Sequence, residues 1–247
     1  LTIYYMSKMN KEKSDLHSSV KTDANIDDIF DIHDNNNNYE IARGFDRGVD
    51  YLPMKNKLIE AYNNIIEKID KLEEDDMTIV RRIIQLKKKM VYILVAMIQL
   101  RNGSRISEAC HAIKYFYMKD DYGNKLLVKI SKSEAIKYKD GKKIVTKPRY
   151  RKMIFPNDWL SKFNSDFVKD AFCHIPFNRL KKRVLDYLLI YHKCNTHSLR
   201  YACINYLIYD MGRPLNDVAK FVGHVDLSML TKYTQQKNCE KIFELDM

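Results

Sequence analysis

The sequence predicts an α+β fold, mainly helical, with a small three-stranded antiparallel sheet. Three observations lead there. Gly and Pro are scarce, at 7 and 5 in 247 residues, so there is little to break helices. Apolar residues recur at three- and four-residue steps through most of the chain beyond Leu52. Between about 115 and 156 that period gives way to short apolar runs separated by turn residues, the pattern of strands. Hydrophobic residues make up 45% of the chain, enough to bury a core.

Residues 1–50 are polar and acidic, with Asn35–Asn36–Asn37–Asn38 beside Asp27, Asp28, Asp31 and Asp34, and are expected to form a disordered leader. In the segment 51–74, Leu58, Ile59, Tyr62, Ile65, Ile66, Ile69 and Leu72 mark one face of an amphipathic helix. Asp75–Asp76–Met77–Thr78 opens a second helix, its acidic residues at the positive end of the dipole. That helix runs from near Ile79 to Leu100 and stops at Asn102–Gly103; another starts at Ser104–Arg105 and turns Ile106, Ala109 and Cys110 inward. Tyr115–Phe116–Tyr117 and Leu126–Leu127–Val128 flank Asp120–Asp121–Tyr122–Gly123–Asn124, as in a hairpin, and Arg151 to Phe155 is the third strand. After Asp158–Trp159 the chain is expected to be helical, punctuated by Pro176, Asn195–Thr196, Gly212–Arg213–Pro214 and Gly223.

Composition excludes several function classes. The longest apolar run, Met90 to Leu100, contains Gln99 and is too short to span a bilayer, and the N-terminus lacks the order of a secretory signal. Five scattered cysteines without a C-x-x-C pair fit a reduced, intracellular setting and no zinc site; His192, Cys194 and His197 lack a second ligand pair. Neither a metal nor another cofactor is expected. Residues 1–50 hold six Lys/Arg against ten Asp/Glu, a net −4, whereas the rest hold 37 against 22, a net +15. A basic body of that kind suits a polyanion as well as it suits a solvated lysine surface.

Four patterns follow one another in order. They are Gly103–Ser104–Arg105–Ile106–Ser107–Glu108–Ala109; Thr146–Lys147 with Arg151 and Ile154–Phe155–Pro156; His197–Ser198–Leu199–Arg200; and Gly223–His224 with Thr231–Lys232–Tyr233. Each is weak alone. Together, over roughly residues 75–240, they resemble the two arginine boxes, the lysine hairpin and the nucleophile box of the tyrosine recombinase (phage integrase) family.

The resemblance implies a catalytic domain over 75–247 that cuts and rejoins double-stranded DNA through a phosphotyrosine, without metal or ATP. Charge grows on the non-bridging oxygens of the reacting phosphate, and a planar guanidinium can hold two of them at once. Arg105 and Arg200 are therefore the candidate clamp, and Glu108 either orients Arg105 or faces solvent. Asn195–Thr196 is a good N-cap, which puts His197 and Arg200 three apart in one first turn, on one face. By resemblance His224 is a further donor to the phosphate and Tyr233, nine residues on, is the nucleophile. A phenol with an ordinary pKa near 10 needs nearby cations to act so. Lys147 is the candidate general acid, with Lys132 as the alternative. Residues 129–152 carry ten Lys/Arg against Glu134 and Asp140, suited to gripping backbone phosphates.

The family resemblance further implies a homo-oligomer, a tetramer on paired sites. The family's separate helical DNA-binding domain has at most a remnant here, in the segment 51–74, and Val222 stands where the family more often has Leu. A type IB topoisomerase or telomere resolvase would use similar residues, and an inactive DNA-binding relic of a mobile element is the rival of another class.

Overall fold

The structure is a computed structural model. It describes residues 49–72, 77–118, 125–131, 136–139, 142–145, 147–155, 159–163, 165–223 and Leu230. The elements are α1 (Tyr51–Asp70), α2 (Met77–Asn102), α3 (Ile106–Met118), β1 (Lys125–Lys129), β2 (Ile136–Lys139), β3 (Lys142–Val145), β4 (Tyr150–Ile154), α4 (Leu160–Phe163), α5 (Asp166–Cys173), α6 (Phe177–His192), α7 (Thr196–Asn205) and α8 (Leu215–Val222). A single π-helical turn, Tyr206–Asp210, continues α7. The fold is therefore mainly helical with a small antiparallel sheet component, as the periodicity predicts.

The axis of the molecule is α2. From Met90 to Leu100 all but Tyr92 are buried, Gln99 included, so this stretch is apolar on every side and accepts neighbours all round. Helices α1, α3, α5, α6 and α7 and strand β4 pack against it. Met54, Leu58, Tyr62 and Ile65 of α1 join the same core as α2, Trp159 and Leu188, so the helix from segment 51–74 shares the main core. A smaller cluster joins Ile204, Val218, Ala219, Val222 and Leu230. Among the described residues no helix is long and apolar enough to cross a membrane.

Two details of the expected sheet are corrected. Tyr115–Phe116–Tyr117 is the last turn of α3, not a strand, because Ala109, Ala112 and Ile113 keep a helical step that carries Phe116 onto the core and against Phe155. The three-stranded sheet is replaced by two pairs, β1 with β4 and β2 with β3, both antiparallel. In the first, Val128 faces Arg151 across the ladder, and Ile130 N–H donates to Arg149 O to lengthen it. The expected hairpin turn 120–124 and the leader up to residue 48 lie outside the described residues.

Candidate functional site: a turn that gathers three guanidiniums

The turn between α2 and α3 organises the site. Gly103 takes φ +53°, and Ser104 N–H reaches back to Gln99 O, the closing bond of a Schellman motif. Two buried amides tie this turn to distant segments. Gln99 Nε2 donates to Ser104 O (3.1 Å) and to Thr196 O (2.7 Å), joining the turn to the start of α7. Asn102 Nδ2 donates to Ile154 O (2.9 Å) while its Oδ1 accepts from Ile154 N (2.7 Å), so the side chain pairs with β4 as another strand would.

Arg200 sits a turn into α7 and is 1% exposed. Its Nη1 donates to Gly103 O, and its Nη2 to Val222 O at 3.1 Å. One side chain thus joins the Gly103–Ala109 segment, its own helix and the helix end just before Gly223. Its helix start is fixed as the residue types predict: Asn195 Oδ1 accepts from His197 N (2.7 Å) and Ser198 N (3.0 Å), and Ser198 Oγ accepts from Asn195 N.

Arg105 stands at the mouth, its side chain 27% exposed. Its Nη1 donates to Glu108 Oε1 (3.2 Å) and to Ser131 O (3.3 Å). Glu108 does not face solvent: it is 1% exposed, and its carboxylate also accepts from Arg105 N (3.3 Å) and Ser131 N (3.0 Å). It therefore orients Arg105 and docks the end of β1 on α3, helped by the 2.6 Å contact between the Ser107 and Ser131 hydroxyls.

A third guanidinium, Arg151, lies beside these two. It is 6% exposed, donates from Nη2 to Asn102 O at 2.6 Å, and holds Nε 3.9 Å from Glu108 Oε2. Burial lowers its pKa to about 10; Glu108 opposes that shift, and the charges of Arg200 and Arg105 add to it. It stays cationic at neutral pH. Phe221 lies over it at 5.8 Å.

Against known proteins, the chain is 43% identical over 225 residues to the protein of Sputnik virophage named "Putative integrase", covering 88% of this chain and 95% of that one. The chain belongs to the family of that virophage protein. It is also similar to a protein of Acidianus two-tailed virus named "Putative integrase", 28% identical over 204 residues, 81% of this chain and 67% of the viral one. An uncharacterized protein of Methanocaldococcus jannaschii is 26% identical over 218 residues, 81% and 87% of the two chains. No family model matches the chain.

In this chain the structure brings Arg105 and Arg200 to one turn and adds Glu108 and Arg151. His197 is exposed on the first turn of α7. Lys147 is exposed two residues before Arg149, which pairs with Ile130. His224, Tyr233 and the alternative Lys132 lie outside the described residues. Sequence reasoning missed Arg151 as a site residue. Its signal is alternation: Arg151 and Met153 share the inward face of β4, and an arginine at a core position needs a reason. Among the described residues no group of three His, Cys, Asp or Glu is arranged to hold a metal ion.

Proposed function

We propose that the chain is an integrase-type DNA recombinase of the tyrosine class. The observation that carries this is the Arg200 side chain, which bonds backbone carbonyls of both Gly103 and Val222 from its own helix. Two of the patterns, and the helix end that precedes the third, are thereby joined through one side chain, which supports a shared phosphate site. The names of the virophage and archaeal-virus relatives support integration as the setting.

In this mechanism Arg105 and Arg200, with His197 and His224 as further donors, stabilise the charge that grows on a DNA phosphate. Tyr233 attacks the phosphorus, a 3′-phosphotyrosine forms, and the 5′-oxygen leaves with a proton. The phosphoester energy is kept in the protein–DNA bond, so rejoining is the same step reversed, with a 5′-hydroxyl as attacker. Lys147 is the proposed acid. Lys132 competes for the role, because it follows Ser131, whose backbone bonds both Arg105 and Glu108. The substrate is duplex DNA held by the basic 129–152 stretch, residues 75–247 form the catalytic domain, and a tetramer acts on paired sites.

A nicked duplex that loses its short 5′ fragment after cleavage traps the covalent complex. The wild-type chain should give a protein–DNA band that survives denaturation, and Tyr233→Phe should give none. A band of equal strength from the variant would remove Tyr233 as the nucleophile, and its absence from the wild type on every viral-end sequence tried would remove the recombinase chemistry.

A further inference from the structure

We infer that Arg151 is a third anion-binding guanidinium of this site, one that works from beneath the turn by charge rather than from its mouth by contact. This rests on the turn 102–105 being a phosphate site, as proposed above.

Three observations carry it. Arg151 occupies a core-facing position on β4, where an apolar residue would pack at lower cost, and only 6% of it is exposed. Its Nε and Nη1 are buried without a hydrogen-bond acceptor, Glu108 Oε2 standing 3.9 Å from Nε, so two of its donors stay open to a ligand. Glu108, the carboxylate nearest Arg151, is already the acceptor for Arg105 Nη1, Arg105 N and Ser131 N.

The charge balance then decides what Arg151 does. Arg105 and Glu108 alone would cancel, and Arg200 would be the single net cation. With Arg151 also beside Glu108, the four groups carry a net +2, and the carboxylate positions Arg105 without neutralising the site. The end of α8 lies beside Arg151: a Cβ added at Gly223 would lie 3.4 Å from Arg151 Cδ and 3.3 Å from Ile130 Cδ1. The neighbour of His224 is thus close to the stem of Arg151. A phosphate dianion is the complement of such a field.

The test uses the full chain and inorganic phosphate, with thermal unfolding followed as phosphate replaces chloride at constant ionic strength. Wild type should be stabilised with a saturable dependence. Arg151→Met should weaken the apparent phosphate affinity about tenfold or more, as loss of a nearby cation in a low-dielectric site predicts, and Arg151→Lys should keep it within about threefold. If Arg151 only braces Asn102 O, Arg151→Met will lower the starting Tm and leave the phosphate midpoint where it was, which overturns the inference.

Should Arg151→Met not fold, Glu108→Gln gives the answer by its sign. Tighter phosphate binding is expected when the counter-ion of an active Arg151 is neutralised; weaker binding would mean that Glu108 matters only for holding Arg105, and would overturn the inference. The covalent-band assay is independent of both. A missing band with Arg151-dependent phosphate binding would sink the recombinase chemistry and leave the anion site standing.

Discussion

Gly103 is where local strain and long-range packing meet, and substituting it separates the two. Gly103→Ala must hold φ +53°, a left-handed conformation that costs a residue with a Cβ about 1–2 kcal/mol. The new Cβ would also stand 2.9 Å from Val222 Cγ1 and 3.2 Å from Cys203 Sγ, both on fully buried residues. Overpacking of that kind adds about 1–3 kcal/mol, for a total of about 2–5 kcal/mol. In a unit of this size each kcal/mol lowers Tm by about 2–4 °C, so a fall of about 4–20 °C is expected. Gly212→Ala is the matched control. Gly212 has φ +61° but nothing within 4 Å of an added Cβ, so it should lose only the conformational share, about 2–8 °C. Far-UV circular dichroism of the full chain at neutral pH measures both. Equal shifts for the two alanines would refute the claim that Val222 and Cys203 close on Gly103. The packing matters beyond stability, because Val222 O and Gly103 O both accept from Arg200.

Asn195→Ala removes the side-chain acceptor for two backbone N–H groups of α7 and should cost about 1 kcal/mol, while Asn195→Asp or Asn195→Ser restores most of it in the same melting experiment. Alkaline pH should destabilise the chain. Burial pushes Tyr62, Cys110 and Cys203 up to about 12, so the stability they contribute is full below their ordinary values and is lost as pH rises above about 9 for the thiols and about 10 for the phenol. Arg151, lowered to about 10, gives stability back only above that pH. Denaturant titrations at pH 8, 9.5 and 10.5 should show the fall, and Cys203→Ala should flatten it by up to about 1.4 kcal/mol per pH unit; an unchanged slope would mean that this thiol ionises in the folded chain.

Much of the fold was legible because it is written in local spacing. The apolar run Met90–Leu100 predicts a buried helix and becomes the central one, and Asn195–Thr196 predicts the cap that Asn195 makes with His197 and Ser198. Tyr115–Phe116–Tyr117 misleads because three aromatics in a row fit either a strand or the end of a helix, and only the packing of Phe116 on Phe155 decides. Glu108 could not be assigned from spacing, since its second partner, Ser131, is 23 residues away. The bonds that assemble the turn, Gln99 to Thr196 and Asn102 to Ile154, span 97 and 52 residues and leave no periodic trace. Arg151 was hidden by its neighbours: in a stretch of ten Lys/Arg, one buried arginine looks like another solvated cation.

The way these cations are held bears on why they are there. The C-terminal carbonyls of a helix lack intrahelical partners and carry the negative end of its dipole. Asn102 O and Gly103 O at the end of α2 receive Arg151 and Arg200, and Val222 O at the end of α8 receives Arg200 again. Backbone acceptors let the chain bury guanidiniums without a carboxylate for each hydrogen bond, so positive charge is tolerated in the core. A core selected for stability alone would have no use for this, because well-packed apolar residues in place of a buried ion pair are often neutral or stabilising. Arg151, with two buried donors unsatisfied, is the clearest case. Its burial is best explained by a ligand that brings the missing negative charge.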